Sequence, residues 1–340
     1  MHQSLSATSI FAEPYPVYAS LEQAFKQQPS ASVSRIQEIH EEQTIVLFLV
    51  KGIQEGPTVW VQAALHGDEH DGIIACAKLL DDIMPERLSG NLILCPVTNP
   101  TAMLAGTNGS PLDGINLNRV FGQNATDDSY SGRYGRWLAN KIIANADFLI
   151  DLHGGGRWLD VCPFAMVASD HEDAYERSMA ALNKIPLTAT YVCQSGTKGM
   201  LINEVCQQGV PAVLLESGGG NYWTFTAVDT HLQAAQTILD HLGVYSSEHS
   251  SVEEILSINR KPARISDIVE MRFEMSGLLT FSMQAGENAR LGEELMRVLT
   301  YPGLEEQSIT CPIEHGVILS IHAASTVHKN GYAVMLGKLA

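Results

Sequence analysis

The sequence has no C-x-x-C pair, no long run of one residue type, no apolar stretch of membrane length and little positive charge, and each absence removes a class of function. Six cysteines, Cys76, Cys95, Cys162, Cys193, Cys206 and Cys311, stand apart on apolar segments. They read as reduced core residues, encoding neither a dithiol redox couple nor a zinc knuckle. The clearest apolar run, residues 45–50, is far below the roughly 20 residues that a membrane helix needs. The first thirty residues lack the basic start and apolar centre of a secretory signal, so a cytoplasmic location is expected. With 21 Lys+Arg against 38 Asp+Glu, the net charge of -17 repels a phosphate backbone, and nucleic acid is not an expected partner. A pocket lined by a few basic groups still suits small anions. What is present, 45% hydrophobic and 17% charged residues along 340 positions, specifies an ordered globular chain long enough for one large domain and a small one.

Short β-branched runs alternate with longer amphipathic ones from about residue 30 to about residue 245, the pattern of an α/β fold. Strands are expected over 43–50, 58–65, 91–96, 148–152, 189–193 and 212–216, and helices over 72–84, 132–144, 172–182, 201–207 and 226–242. Residues 245–261, with a Ser-Ser-Glu-His-Ser-Ser cluster, read as a connector. The expected organisation is a mixed sheet flanked by helices over 1–255, followed by a small all-β domain over 262–340. That tail carries a weak repeat, because Gly277-Leu-Leu-Thr-Phe to Gly316-Val-Ile-Leu-Ser and Gly292 to Gly331 are the same 39-residue step. Two such units interlocking would make a barrel-sandwich of the biotinyl/lipoyl kind. No lysine lies between Lys261 and Lys329 to carry a cofactor, so a structural lid or oligomerisation module is expected.

Four short motifs carry chemistry. The strand at 58–65 runs into His66-Gly-Asp-Glu-His-Asp-Gly, where His66 at the strand end and Glu69 across a sharp turn can converge, with Gly67 permitting close approach. Alone, H-x-x-E is common by chance. Phe148-Leu-Ile-Asp-Leu-His-Gly-Gly-Gly delivers His153 at a second strand end, with Asp151 two residues earlier on the same face and able to orient it. Two histidines and a carboxylate are the protein ligand set of many catalytic zinc sites. A pairing of His66 with His70 is the alternative if the helix begins earlier. Between these motifs, Asp113-Gly-Ile-Asn-Leu-Asn-Arg ends on Asn118 and Arg119, an amide and a guanidinium suited to a substrate carboxylate. Last, Pro211-Ala-Val-Leu-Leu-Glu-Ser-Gly-Gly-Gly ends a buried strand on Glu216, placed where a general acid/base would stand.

In this order, H-x-x-E, D-x-x-N-L-N-R, D-L-H-G-G and E-x-G-G followed by a β-rich tail, the sequence resembles the succinylglutamate desuccinylase/aspartoacylase family of zinc carboxypeptidase-like hydrolases, from about Thr58 onward. The resemblance implies one Zn2+ on His66, Glu69 and His153, substrate contacts from Asn118 and Arg119, and Glu216 as general acid/base. It implies hydrolysis of the amide of a small N-acylated amino acid or amine. The sequence departs from the family in one place: where an arginine often precedes the N-L-N-R loop and polarises the scissile carbonyl, Asn108 stands. Arg157, after the glycines that follow His153, is the candidate substitute. Two other readings share the same residues: a metallocarboxypeptidase acting on peptides, and a catalytically idle zinc protein that binds an acylated ligand. A homo-oligomer is compatible with the β-rich tail.

Overall fold

The structure is a computed structural model describing residues 14–41, 43–124, 126–193, 199–245 and 262–340. The expected connector lies outside the described residues apart from Tyr245. Strands β1 (Val17–Tyr18), β2 (Ser32–His40), β3 (Gln43–Lys51), β4 (Gln54–Ala63), β5 (Ser89–Cys95), β6 (Phe148–His153), β7 (Leu159–Ala168), β8 (Ala189–Cys193) and β9 (Ala212–Gly219) come first among the described residues. Helices α1 (Leu21–Gln27), α2 (Asp71–Asp82), α3 (Pro100–Ala105), α4 (Tyr130–Asn145), α5 (Glu172–Ala181), α6 (Leu201–Gln207) and α7 (Phe225–His241) accompany them. Within the mixed sheet the order β3-β5-β4-β6-β9-β7-β8 puts β4, β6 and β9 side by side and parallel. Their apolar continuity follows from burial on both faces. On β4, Val59, Val61 and Ala63 enter one core with α2 and α7, while Trp60 enters the other with α1, α4 and α6. Side-chain caps start α4 and α7: Ser129 Oγ accepts from Gly132 N at 3.0 Å and Thr224 Oγ1 from Ala227 N at 3.1 Å. Among the described residues no helix is long and apolar enough to cross a membrane. All six cysteines are free and buried.

Every strand and helix expected before residue 245 is present, with ends shifted by a few residues. Strands β1, β2 and β7 and helices α1 and α3 are additions. In β7 the sequence signal is hidden by Pro163, which cannot donate to a ladder. The structure tolerates it at a register shift between Val161 and Phe164 against β9, while its carbonyl accepts from Thr188 N at 2.8 Å.

The C-terminal strands are β10 (Ala263–Arg272), β11 (Gly277–Ser282), β12 (Asn288–Arg290), β13 (Glu294–Thr300), β14 (Glu306–Thr310), β15 (His315–His322), β16 (Thr326–Val327) and β17 (Tyr332–Leu339). The two repeat segments become β11 and β15, paired with β13 and β17 respectively in two different sheets. Those sheets enclose a shared core that includes Leu295, Val298, Ile318, Ile321 and Leu336. The C-terminal strands also join the sheet of the α/β part. β10 pairs in parallel with β8 and β15 antiparallel with β7, which makes one 13-stranded sheet of both parts. Hydrogen bonding thus runs β7-β8-β10-β17-β15 and back to β7, a closed ring of five strands around Val161, Phe164, Ala189, Ile265, Val317 and Leu319.

Candidate active site

The site stands where parallel β4, β6 and β9 end. After β4 the chain turns at Ala64, whose φ of 52° is a strained left-handed conformation for a residue with a Cβ. The turn is held by Asn99, whose N–H bonds the Ala64 carbonyl at 3.0 Å and whose amide nitrogen bonds the Leu65 carbonyl at 3.3 Å. His66 follows, then Gly67, which lies so close to α3 that a Cβ there would sit 1.9 Å from the carbonyl carbon of Ala102. Helix α2 begins only at Asp71, so His66 and His70 do not share a helical face. The His66–His70 alternative is thereby removed.

His66, Glu69 and His153 converge: one ligand atom from each lies within 4.8 Å of the others, and all three residues are buried. Glu69 spans the histidines, with Oε1 2.8 Å from His66 Nδ1 and Oε2 3.0 Å from His153 Nδ1. Burial by itself would raise the Glu69 carboxyl, but the two imidazoles outweigh it and hold the group at about 2. His153 is pushed well above the usual histidine range; burial opposes this, and the carboxylates of Asp151 and Glu69 overcome it. Its contacts at 3.0 Å to Glu69 and 3.2 Å to Asp151 Oδ2 are close but off-line. Both of its ring nitrogens are therefore enclosed without a well-directed hydrogen bond. Concentrated negative potential and an orphaned buried imidazole are what a cation satisfies, and the N, N, O donor set fits zinc.

Each histidine is oriented from behind. Asn116 Oδ1 lies 3.0 Å from His66 Nε2, and Asn116 Nδ2 donates to Asn108 Oδ1 at 2.9 Å. Asn108 therefore stands one residue removed from His66, and Asn116 is a site residue that the sequence reading passed over. The motif D-G-I-N-L-N-R contained it, but nothing local says which asparagine faces the histidine. Asn118 is buried, and its Oδ1 accepts from Leu201 N at 2.9 Å at the start of α6. Arg119 is exposed, with Nη1 donating to the Asn118 carbonyl at 2.8 Å, and its charge acts on Glu216.

Glu216 is in register with His153 across β6 and β9. Burial, with the Glu69 charge adding to it, raises the Glu216 carboxyl to about 8. The glycine turn after β6 is tied to Asp68 and Glu69 of the first motif. Gly154 N donates to Glu69 Oε2 and Arg157 N to Asp68 Oδ2, each at 3.1 Å. Gly156, at φ 56°, has no room for a Cβ, which would fall 2.4 Å from Asp68 Oδ2. This places the exposed Arg157 over Gly106, with Nη2 3.3 Å from where a Cβ on that glycine would be. The next residue, Trp158, stacks on His322 of the C-terminal part with ring centroids 6.4 Å apart.

Comparison with known proteins gives a consistent result. The model of the succinylglutamate desuccinylase/aspartoacylase catalytic domain matches residues 55–242. N-alpha-acetyl-L-2,4-diaminobutyric acid deacetylase of Halomonas elongata is 29% identical over 253 residues, 72% of this chain and 71% of its own length. Among solved structures, a succinylglutamate desuccinylase from Silicibacter sp. TM1040 superposes with a TM-score of 0.76 at 23% identity, covering 92% of this chain and 98% of that one. The product-bound ectoine utilization protein EutE (DoeB) from Ruegeria pomeroyi gives 0.73 at 22% identity, covering 92% and 97%. At those identities the two structures speak to fold alone.

Proposed function

From the premise that this chain belongs to the succinylglutamate desuccinylase/aspartoacylase family, we propose that it is a zinc-dependent hydrolase cleaving the amide bond of a small N-acylated amino acid or amine. The observation that carries this reading is the convergence of His66, Glu69 and His153 beside Glu216. Zinc held by those three residues would supply Lewis acidity, polarising a carbonyl oxygen and lowering the pKa of water. Glu216 takes the proton of the attacking water and returns it to the departing amine, a role supported by its place in register with His153 across β6 and β9. Asn118 and Arg119 hold the substrate's carboxylate. Arg157 polarises the acyl oxygen in place of the family's usual arginine, helped by Asn108, which spends only its oxygen on Asn116.

Residues 1–255 form the catalytic unit in this proposal and 262–340 a unit that narrows its mouth. The stacking of Trp158 on His322 and the bond from Ala323 N to the Trp158 carbonyl at 2.8 Å support that role. The Halomonas relative, named for removing an acetyl group from a diamino acid, places acylated diamino acids first among substrates to try. Free buried cysteines support a cytoplasmic setting. The test is amine release from N-acyl amino acids, acylated diamines and short peptides by zinc-loaded and chelator-stripped protein, with Glu216→Gln alongside. Expected are zinc-dependent turnover on one non-peptide acyl class and, in the variant, lost turnover with zinc retained. Turnover confined to peptides, or full activity of Glu216→Gln, overturns the reading.

A further inference from the structure

His153 turns Nδ1 toward Glu69 Oε2 at 3.0 Å, so a metal shared with Glu69 would meet Nδ1, which presents a lone pair only if the ring's proton sits on Nε2. A buried chain of side chains that runs away from the site bears on which nitrogen holds that proton. Trp60 Nε1 donates to Gln62 Oε1 at 3.1 Å, Gln62 Nε2 donates to Asp151 Oδ1 at 2.9 Å, and Asp151 Oδ2 lies 3.2 Å from His153 Nε2. All four residues are at most 2% exposed, so water does not compete for these groups.

The chain has one direction. An indole can only donate, so the end of the Gln62 amide facing Trp60 is its oxygen, and the end facing Asp151 is its NH2. A carboxylate oxygen receiving that N–H is an acceptor, and Asp151 is left with Oδ2, which lies 3.2 Å from His153 Nε2 as a charge contact that a bound metal would have to bring into line. The imidazole can meet it only with an N–H on Nε2. Trp60 and Gln62 belong to β4 and Asp151 and His153 to β6, and the parallel register pairs Gln62 with Asp151. The same strand pairing that brings the two ligand-bearing strand ends together therefore also sets the tautomer.

We propose that Gln62, itself aligned by the Trp60 indole, is a positioning residue that acts through Asp151 to hold His153 as an Nδ1 ligand. The inference rests on the zinc reading above. Partners of this kind behind a ligating histidine change metal affinity by about 10- to 100-fold when removed. Zinc affinity is measured by competition with a chelating dye, beside the melting temperature of the metal-stripped protein. Gln62→Met, of similar length but without polar ends, is expected to bind zinc about tenfold more weakly. Gln62→Glu fills the same volume yet offers Asp151 no amide donor, and it is expected to lose affinity too, whereas a space-filling role predicts normal binding. Because Gln62 acts through Asp151, the double variant Gln62→Met/Asp151→Asn should bind zinc no more weakly than Asp151→Asn alone. Affinity unchanged in Gln62→Glu, or losses that multiply in the double variant, overturn the proposal while leaving the zinc reading intact. A wild-type protein that binds no zinc overturns both.

Discussion

Replacing Gly67 with alanine should cost several kcal/mol of stability and loosen the metal site at once. The added methyl would lie 1.9 Å from the carbonyl carbon of Ala102 and 2.2 Å from both the Ala102 oxygen and the Met103 nitrogen, where ordinary contact begins at 3.4 Å. These are backbone atoms of α3 and cannot swing aside. Nor can the turn retreat freely, because Gly67 N donates to the Thr107 carbonyl at 3.0 Å and Asn99 grips the Leu65 carbonyl. Overpacking of a rigid contact costs roughly 1–3 kcal/mol, and each hydrogen bond broken in making room adds about 1 kcal/mol. A total of about 3 kcal/mol is a large share of the roughly 5–15 kcal/mol that hold a domain together. With an unfolding entropy of about 2.1 cal/mol/K per residue, it corresponds to a fall in melting temperature of about 4 °C for 340 residues. Since His66 precedes Gly67, zinc affinity should fall by about tenfold or more, the scale on which metal sites respond to lost ligand orientation. Thermal melts by circular dichroism and chelator competition read both effects. Gly243→Ala is the control: its φ is 68°, but nothing lies within 4 Å of the new methyl, so only the left-handed penalty of about 1–2 kcal/mol applies. If Gly67→Ala melts with Gly243→Ala and binds zinc as the parent does, the close approach of the turn to α3 is not what the structure shows.

Arg119→Met should raise KM for an anionic substrate by about tenfold or more with a smaller change in kcat, as loss of a charge-assisted carboxylate contact requires; an effect on kcat alone would contradict the assignment. The thiols should be inert in the folded protein: burial pushes Cys95, Cys162 and Cys193 up to about 12. A thiol reagent should label them at mildly alkaline pH only after denaturation, and rapid labelling of native protein would show otherwise. His40 lies against Tyr134 and Trp137, and burial lowers its pKa from the ordinary 6.5. The unfolded chain therefore binds the proton at higher pH than the folded one, so this contribution to stability is present above 6.5 and is lost as pH falls toward the folded value. Urea midpoints at about pH 5 and about pH 8 should differ less for His40→Gln than for the parent, and an equal difference would remove His40 from the pH response.

Much of the site could be read from the chain because its ligands are carried by strand ends followed by glycines, a local signature. His66 follows the end of β4, His153 ends β6 and Glu216 lies in the last half of β9, with Glu69 across the turn from His66, and the order of the four motifs did the rest. What stayed hidden depends on which strands are neighbours. Gln62 looks like an ordinary polar interruption of β4 until the register sets it opposite Asp151. Asn116 and Asn118 alternate in one short motif, and only the folded loop shows that the first reaches His66 while the second turns to α6. The tail gave up its repeat but not its connections, since pairing between β10 and β8, or β15 and β7, leaves no mark in either sequence. Strand β2 was missed for a different reason: its polar run Ser34-Arg-Ile-Gln-Glu buries little beyond Ile36 among large apolar side chains, and the two-residue period is faint.

The closed ring of five strands has a consequence for how the molecule comes apart. An open sheet can fray from an edge, losing one strand at a time, but a ring offers no end from which to begin. β7, which leaves the glycine turn beside His153, is held by β8, β9 and β15, so melting the tail uncovers backbone that belongs to the catalytic sheet. Heat or denaturant should therefore take the two parts in one cooperative transition and not in sequence. A chain cut short before β10 would carry bare ladder groups on β7 and β8 into solution, the kind of edge that recruits other strands and ends in aggregation.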